Sequence, residues 1–198
     1  RTDCTVVESN IHHPTDSSLL WDCVRVLVRI MGKAKDEFEI PFTDHSRRAK
    51  RRWFKISNSK TSEQRKPLYR DLIKVTDKTI QQAQRVADEL THVVPSTIAQ
   101  VVLLGRLTAE LEQYVGLANQ VISQAERRVL RGESVPANEK ILSIFEPHTD
   151  IIVKDRREPE YGHKICLSTG PSGMVLDLVI EDGNPADSTL AVKTIERI

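Results

Sequence analysis

Two long apolar stripes separated by a short break constrain this chain more than any other feature. Leu68, Leu72, Val75, Thr79, Ala83, Val86 and Leu90 recur at steps of three and four residues. After His92-Val-Val-Pro-Ser96, Val101, Leu104, Thr108, Leu111, Val115, Ala118, Ile122, Ala125 and Val129 do the same. Steps of three and four put a row of side chains on one face of an α-helix. In the second stripe they alternate strictly, which is a heptad seam. At ~1.5 Å per residue that helix spans roughly 50 Å. The pattern predicts an antiparallel helical hairpin over 61–131, with Pro67 in its first turn. The hairpin either packs on itself and the core or offers a face to a second subunit, and spacing alone leaves both open.

Upstream, Leu19, Leu20, Cys23, Val24, Leu27, Ile30 and Met31 form a shorter helical stripe. Thr15 or Asp16 is placed to cap it and Gly32 to stop it. Residues 33–45 read as irregular, and a basic helix follows from Ser46. The ends of the chain have a different character. Thr5, Val6 and Val7 mark a first strand over 3–7. Beyond Gly132, short strands are predicted over 140–145, 150–153, 163–168 and 174–180. Gly170-Pro-Ser-Gly173 is a hairpin turn, and Asp187 suits the N-cap of a last helix. The expected fold class is α/β, one discontinuous domain with a long helical insertion. Residues 1–15 supply its first strand and 136–198 its continuation. The insertion over 16–135 carries a basic segment, 44–70, and the hairpin.

The net charge of +1 conceals a strong asymmetry. Ten of the Lys and Arg residues fall within 44–70 against two acids, leaving that segment at +8 in a body of −7. Arg47, Arg48, Lys50, Arg51, Arg52 and Lys55 surround Trp53 and Phe54. Interleaved cations and aromatic rings suit phosphate contact with base stacking; the competing reading is a solvated helix with Trp53 in the core. Contacts of this kind follow the DNA backbone rather than read sequence. Cys4, Cys23 and Cys166 are too few and too far apart for a zinc pattern or a disulfide framework, which favours a reducing, cytoplasmic compartment. No apolar run is long enough for a membrane span.

Three stretches carry a family resemblance. They are Asp3-Cys-Thr-Val-Val-Glu-Ser-Asn-Ile-His-His-Pro-Thr-Asp-Ser-Ser-Leu-Leu-Trp-Asp22, Ile144-Phe-Glu-Pro-His-Thr-Asp-Ile-Ile152 with Tyr161-Gly-His-Lys164, and Leu176-Asp-Leu-Val-Ile-Glu-Asp-Gly-Asn-Pro-Ala-Asp-Ser-Thr-Leu190. In this order they resemble the DDE transposases of bacterial insertion sequences, in particular the ISNCY group. His13 stands where that pattern has tyrosine. The resemblance implies a partial ribonuclease H-like core interrupted by the helical insertion, with Asp3 as the first of three catalytic carboxylates. It implies DNA as partner, a possible homo-oligomer, no membrane, and a nucleoid-associated protein.

The implied chemistry is attack on a phosphodiester by water or a 3′-hydroxyl, assisted by two Mg²⁺ ions. Mg²⁺ takes oxygen ligands, so Asp3 is both the catalytic and the metal candidate. A strand-end aspartate held by backbone amides is the plain alternative. Residue 1 is Arg and the chain stops in an apparent helix at Ile198. The second aspartate and the glutamate are therefore expected beyond it, and the chain alone is expected to be inactive. Glu8 faces away from Asp3, and Asp187 and Asp16 read better as helix caps than as ligands. The spacing of His12, His13, His148, Asp150 and His163 fits no ligand motif. Lys164 is either a phosphate contact near Asp3 or a solvated strand lysine. Two other functions fit the residues: another nuclease of the same fold, or a non-catalytic DNA-binding or helical interaction module.

Overall fold

The computed structural model describes residues 1–153 and 158–197; the terminal Ile198 lies outside them. Among the described residues the chain is α/β, with five α-helices and a four-stranded antiparallel sheet. It divides into two compact units. One comprises Arg1–His13 with Pro136–Ile198, the other Pro14–Val135.

The helical unit begins with α1, Asp16–Phe38. Thr15 is its cap: Thr15 Oγ1 accepts from the Ser18 amide at 3.1 Å, and the Thr15 amide donates back to Ser18 Oγ at 3.1 Å. Gly32 does not stop this helix, contrary to expectation. A glycine inside a helix costs ~1 kcal/mol, and burial of Ile30, Met31 and Ala34 around it outweighs that. Residues 33–38, read as irregular, are therefore helical, and the helix ends where Glu39 takes φ 57°.

The basic helix α2 covers Ser46–Ser57. Helix α3, Ser62–Thr91, is capped by Thr61 and contains Pro67 in its second turn rather than its first. Helix α4, Ile98–Ala125, is capped by Thr97. A wider helical turn, Glu126–Leu130, follows it. The α3 stripe packs as its spacing predicts, through Leu72, Val75, Thr79, Ala83, Val86 and Leu90. The α4 seam is rotated. Its buried residues are Leu107, Leu111, Ala118, Val121, Gln124 and Ala125, whereas Val101 is exposed. The cause is a second neighbour, since α4 packs on α1 as well as on α3. Leu20, Leu27, Met31, Leu72, Leu90, Leu107 and Leu111 close the core.

The second unit is built on the sheet. Strand β1 is Thr2–Glu8, β2 Asp150–Ile152, β3 Glu160–Thr169 and β4 Val175–Glu181. The central strand is β3. On one side it pairs with β1, from Thr2 opposite Ser168 to Glu8 opposite Gly162. On the other it pairs with β2 and then β4, all antiparallel. Residues 140–145 form no strand. They are an irregular segment whose Ile141, Leu142 and Ile144 are buried, and a short apolar run does not by itself distinguish the two. The turn at 170–173 forms as predicted, with Gly173 at φ 78°. Helix α5, Asp187–Arg197, follows β4 and buries Leu190 and Thr194.

Candidate functional site

Alternation along β1 sets what its side chains can do. Cys4 and Val6 are half-buried, while Asp3, Thr5 and Val7 point to the other face and are exposed. Asp3 sits opposite Leu167 of β3. Its side chain is 75% exposed and lies 3.7 Å from the Arg1 guanidinium. Among the described residues no backbone amide donates to its carboxylate, so nothing there engages it in the way a strand-end carboxylate is usually held. Thr2, Asp3 and Cys4 border a cleft with Asp187, Leu190 and Thr194 of α5. Glu8 ends β1 on the opposite face, as expected, and is exposed.

Asp187 and Lys164 belong together. Asp187 is the first residue inside α5 rather than its cap, and an acid there favours the helix dipole. Its Oδ1 lies 2.5 Å from Lys164 Nζ. Lys164 is only 3% exposed, and its ammonium also donates to the Pro185 carbonyl at 2.5 Å. Burying an ammonium demands such partners. Lys164 is thus neither solvated nor free for a phosphate; it ties β3 to the start of α5. As for ligands, Asp3 offers one hard oxygen donor group. Among the described residues no group of three His, Cys, Asp or Glu could hold a metal ion.

The cysteine expectation is corrected. Cys4 and Cys166 form a disulfide across β1 and β3. They are 162 residues apart in sequence but directly opposite in the ladder, with Cα atoms 4.2 Å apart. That is the close spacing of a non-hydrogen-bonded antiparallel pair. Wide separation in sequence says nothing against such pairing once the strands meet. Cys23 is the free cysteine, and burial pushes its thiol far above the usual range. At the far end of the sheet, His148 and His163 stack with ring centroids 5.1 Å apart, and Asp150 lies 3.9 Å from His163 Nδ1. His13 meets Tyr161 edge-on.

In the helical unit, α2 divides its cations between two faces. Ala49 and Ile56 are buried and Trp53 is half-buried beside them. On this inward side Arg48 and Arg52 both pair with Asp71 of α3. Partial burial pushes the Asp71 carboxyl up, but the hydrogen bonds and charges of Arg52 and Arg48 outweigh this and hold it below the usual carboxylate range. Arg47, Lys50, Arg51 and Lys55 lie on the outward side, all exposed, with Phe54 among them. The basic run is therefore partly a clamp onto α3 and partly a free cationic face. Its amphipathic spacing, with Ala49, Arg52, Trp53 and Ile56 at steps of three and four, carries that division in the sequence.

Asp16 is not the cap of α1, a place that Thr15 takes. Buried in the first turn of α1, it accepts from Gln124 Nε2 at 3.0 Å and from Arg128 Nη1 at 2.9 Å. No local pattern signals this contact, because its partners lie 108 and 112 residues away.

No protein-family model matches the chain, and no curated protein and no solved structure matches it. Among the described residues no helix is long and apolar enough to cross a membrane.

Proposed function

We propose that this chain is part of a DDE transposase, a Mg²⁺-dependent enzyme of DNA strand cleavage and transfer. Within it the β-sheet unit is the start of a ribonuclease H-like core and the helical unit is a DNA-contacting insertion. The observation that carries the reading is the state of Asp3. It is an exposed carboxylate on the first strand, held in register by β3, on the sheet face opposite the one to which Lys164 ties α5. The order of elements supports the same reading: a first strand bearing an aspartate, a helical insertion, further strands, then a helix.

In this proposal Asp3 supplies one carboxylate, and the remaining ligands come from the rest of the full-length parent. When bound, Mg²⁺ would polarise the phosphodiester and stabilise the leaving oxygen. The parts played by this chain's own residues are simpler. Strand pairing of β1 with β3, reinforced by Cys4–Cys166, fixes where the Asp3 carboxylate stands. Lys164 and Asp187 anchor α5 to the opposite face of the same sheet. Arg47, Lys50, Arg51 and Lys55 attract the DNA backbone.

The decisive experiment is Asp3→Asn in the full-length protein, assayed for Mg²⁺-dependent cleavage of insertion-sequence end DNA. The expected result is loss of cleavage with end binding intact; retained cleavage overturns the assignment. A second reading is a non-catalytic DNA-binding module, and the free cationic face of α2 favours it. Under that reading Asp3→Asn is silent while Arg47→Ala with Arg51→Ala abolishes binding.

A further inference from the structure

Phe54 is 62% exposed in the middle of a cationic helix face. Lys50 and Arg51 stand one turn before it, Arg47 one turn before them, and Lys55 is its neighbour. Among the described residues none of these four cations pairs with a carboxylate, in contrast to Arg48 and Arg52 on Asp71. Phe54, Trp53 and the four cations border one shallow depression whose exposed surface is nearly all apolar. A single exposed ring is ordinary on a protein surface; a ring set among four unpaired cations over an apolar depression is a more specific arrangement. It matches a ligand that is flat, apolar on its face and anionic at its edge.

We propose that the outward face of α2 takes an unpaired segment of DNA. Its phosphates would lie on Arg47, Lys50, Arg51 and Lys55, and one base would stack on Phe54. This deepens the reading of α2 as a DNA-contacting helix and rests on it. Inside a duplex both faces of each base are covered by its neighbours, so an exposed phenyl ring has nothing to stack on. Cations serve duplex and single strand alike; the aromatic ring serves only a base that is free. A frayed or displaced strand at a cleavage site supplies such a base. An acidic peptide would use the charges without needing the ring. An anionic membrane surface would need a broad apolar face, and α2 exposes a single large apolar side chain.

The test uses the whole chain with a fluorescently labelled oligo(dT) and a blunt, fully paired duplex, at low and at raised salt. Phe54→Ala is expected to weaken oligo(dT) binding by roughly five-fold or more, the lower end of what base stacking on an aromatic ring contributes, with duplex binding unchanged. Phe54→Trp should restore it. Arg47→Ala combined with Arg51→Ala should weaken both ligands and flatten the salt dependence. Equal losses of single-strand and duplex binding in Phe54→Ala, or no loss in either, would overturn the stacking proposal. Duplex binding without any oligo(dT) binding would overturn it too, while leaving α2 as a DNA contact. Absence of binding to both would remove both readings. Phe54-dependent sedimentation with phosphatidylserine vesicles, in place of oligonucleotide binding, would also refute it. Phe54 is exposed, so an unchanged circular dichroism spectrum is expected for its variants.

Discussion

Removing the Asp16 carboxylate is the sharpest perturbation of the helical unit. Asp16 is 7% exposed and joins the first turn of α1 to Gln124 and Arg128. Hydrogen bonds to a charged group contribute about 1.5–3 kcal/mol in a buried setting. The Arg128 side chain is 41% exposed and recovers water when its partner goes, so its share is discounted. The acid also favours the N-terminus of α1 by about 0.3–1 kcal/mol. Asp16→Ala should therefore destabilise the unit by about 3 kcal/mol. Asp16→Asn, which keeps an acceptor and loses the charge, should cost about 1 kcal/mol. Both tryptophans, Trp21 and Trp53, lie in the 14–135 unit, so fluorescence reports its unfolding separately from the sheet. With a urea slope of about 1–3 kcal/mol/M, the midpoint should fall by roughly 1–3 M. In a double-mutant cycle, Arg128→Ala should cost less once Asp16 is already Ala. A loss under about 0.5 kcal/mol for Asp16→Ala, or strict additivity with Arg128→Ala, would refute the contact.

Other consequences are open to direct measurement. Thiol titration in denaturant without reductant should count one reactive thiol, that of Cys23, and three after reduction; three from the outset would exclude the Cys4–Cys166 bridge. Gly162→Ala should separate β1 from β3, because a Cβ there would lie 2.1 Å from the Val7 carbonyl oxygen. Rapid amide exchange throughout β1 is expected, and wild-type protection would refute it. Asp71 has a folded-state pKa below its unfolded value near 3.8, so its stabilisation of the α2–α3 contact is complete above that pH. It should be lost as pH falls through the lower folded value, and Asp71→Asn should abolish that slope in an acid titration followed by fluorescence. Asp187→Ala strands the buried Lys164 ammonium and should cost the sheet unit about 3 kcal/mol; a neutral effect would mean that the Pro185 carbonyl alone suffices.

Much of the helical unit was legible because helices are local. The three-four spacing of Leu72 through Leu90 names α3 and its buried face, and the break at His92–Ser96 separates it from α4. The turn at Gly170–Gly173 and the start of α5 are equally local, since they depend on glycine conformations and on an acid in the first turn. Gly32 misled because local propensity favours a stop there, while the helix continues for the sake of contacts made with other segments. The same competition rotated the α4 seam: a helix that touches two neighbours buries a stripe that neither neighbour alone would define.

Of the candidate site, the sequence determined which groups are chemically able to act: the Asp3 carboxylate on a strand, and a run of cations around Trp53 and Phe54. The tertiary structure alone decided which of them are free to do so. It joined Cys4 to Cys166, buried Lys164 against Asp187, and drew Arg48 and Arg52 onto Asp71, leaving Asp3, Phe54 and four cations exposed. The physical reason is that availability is a property of pairs. A charge is spent or spare according to a partner that stands close in space and, in β1 and β3, more than 150 residues away along the chain.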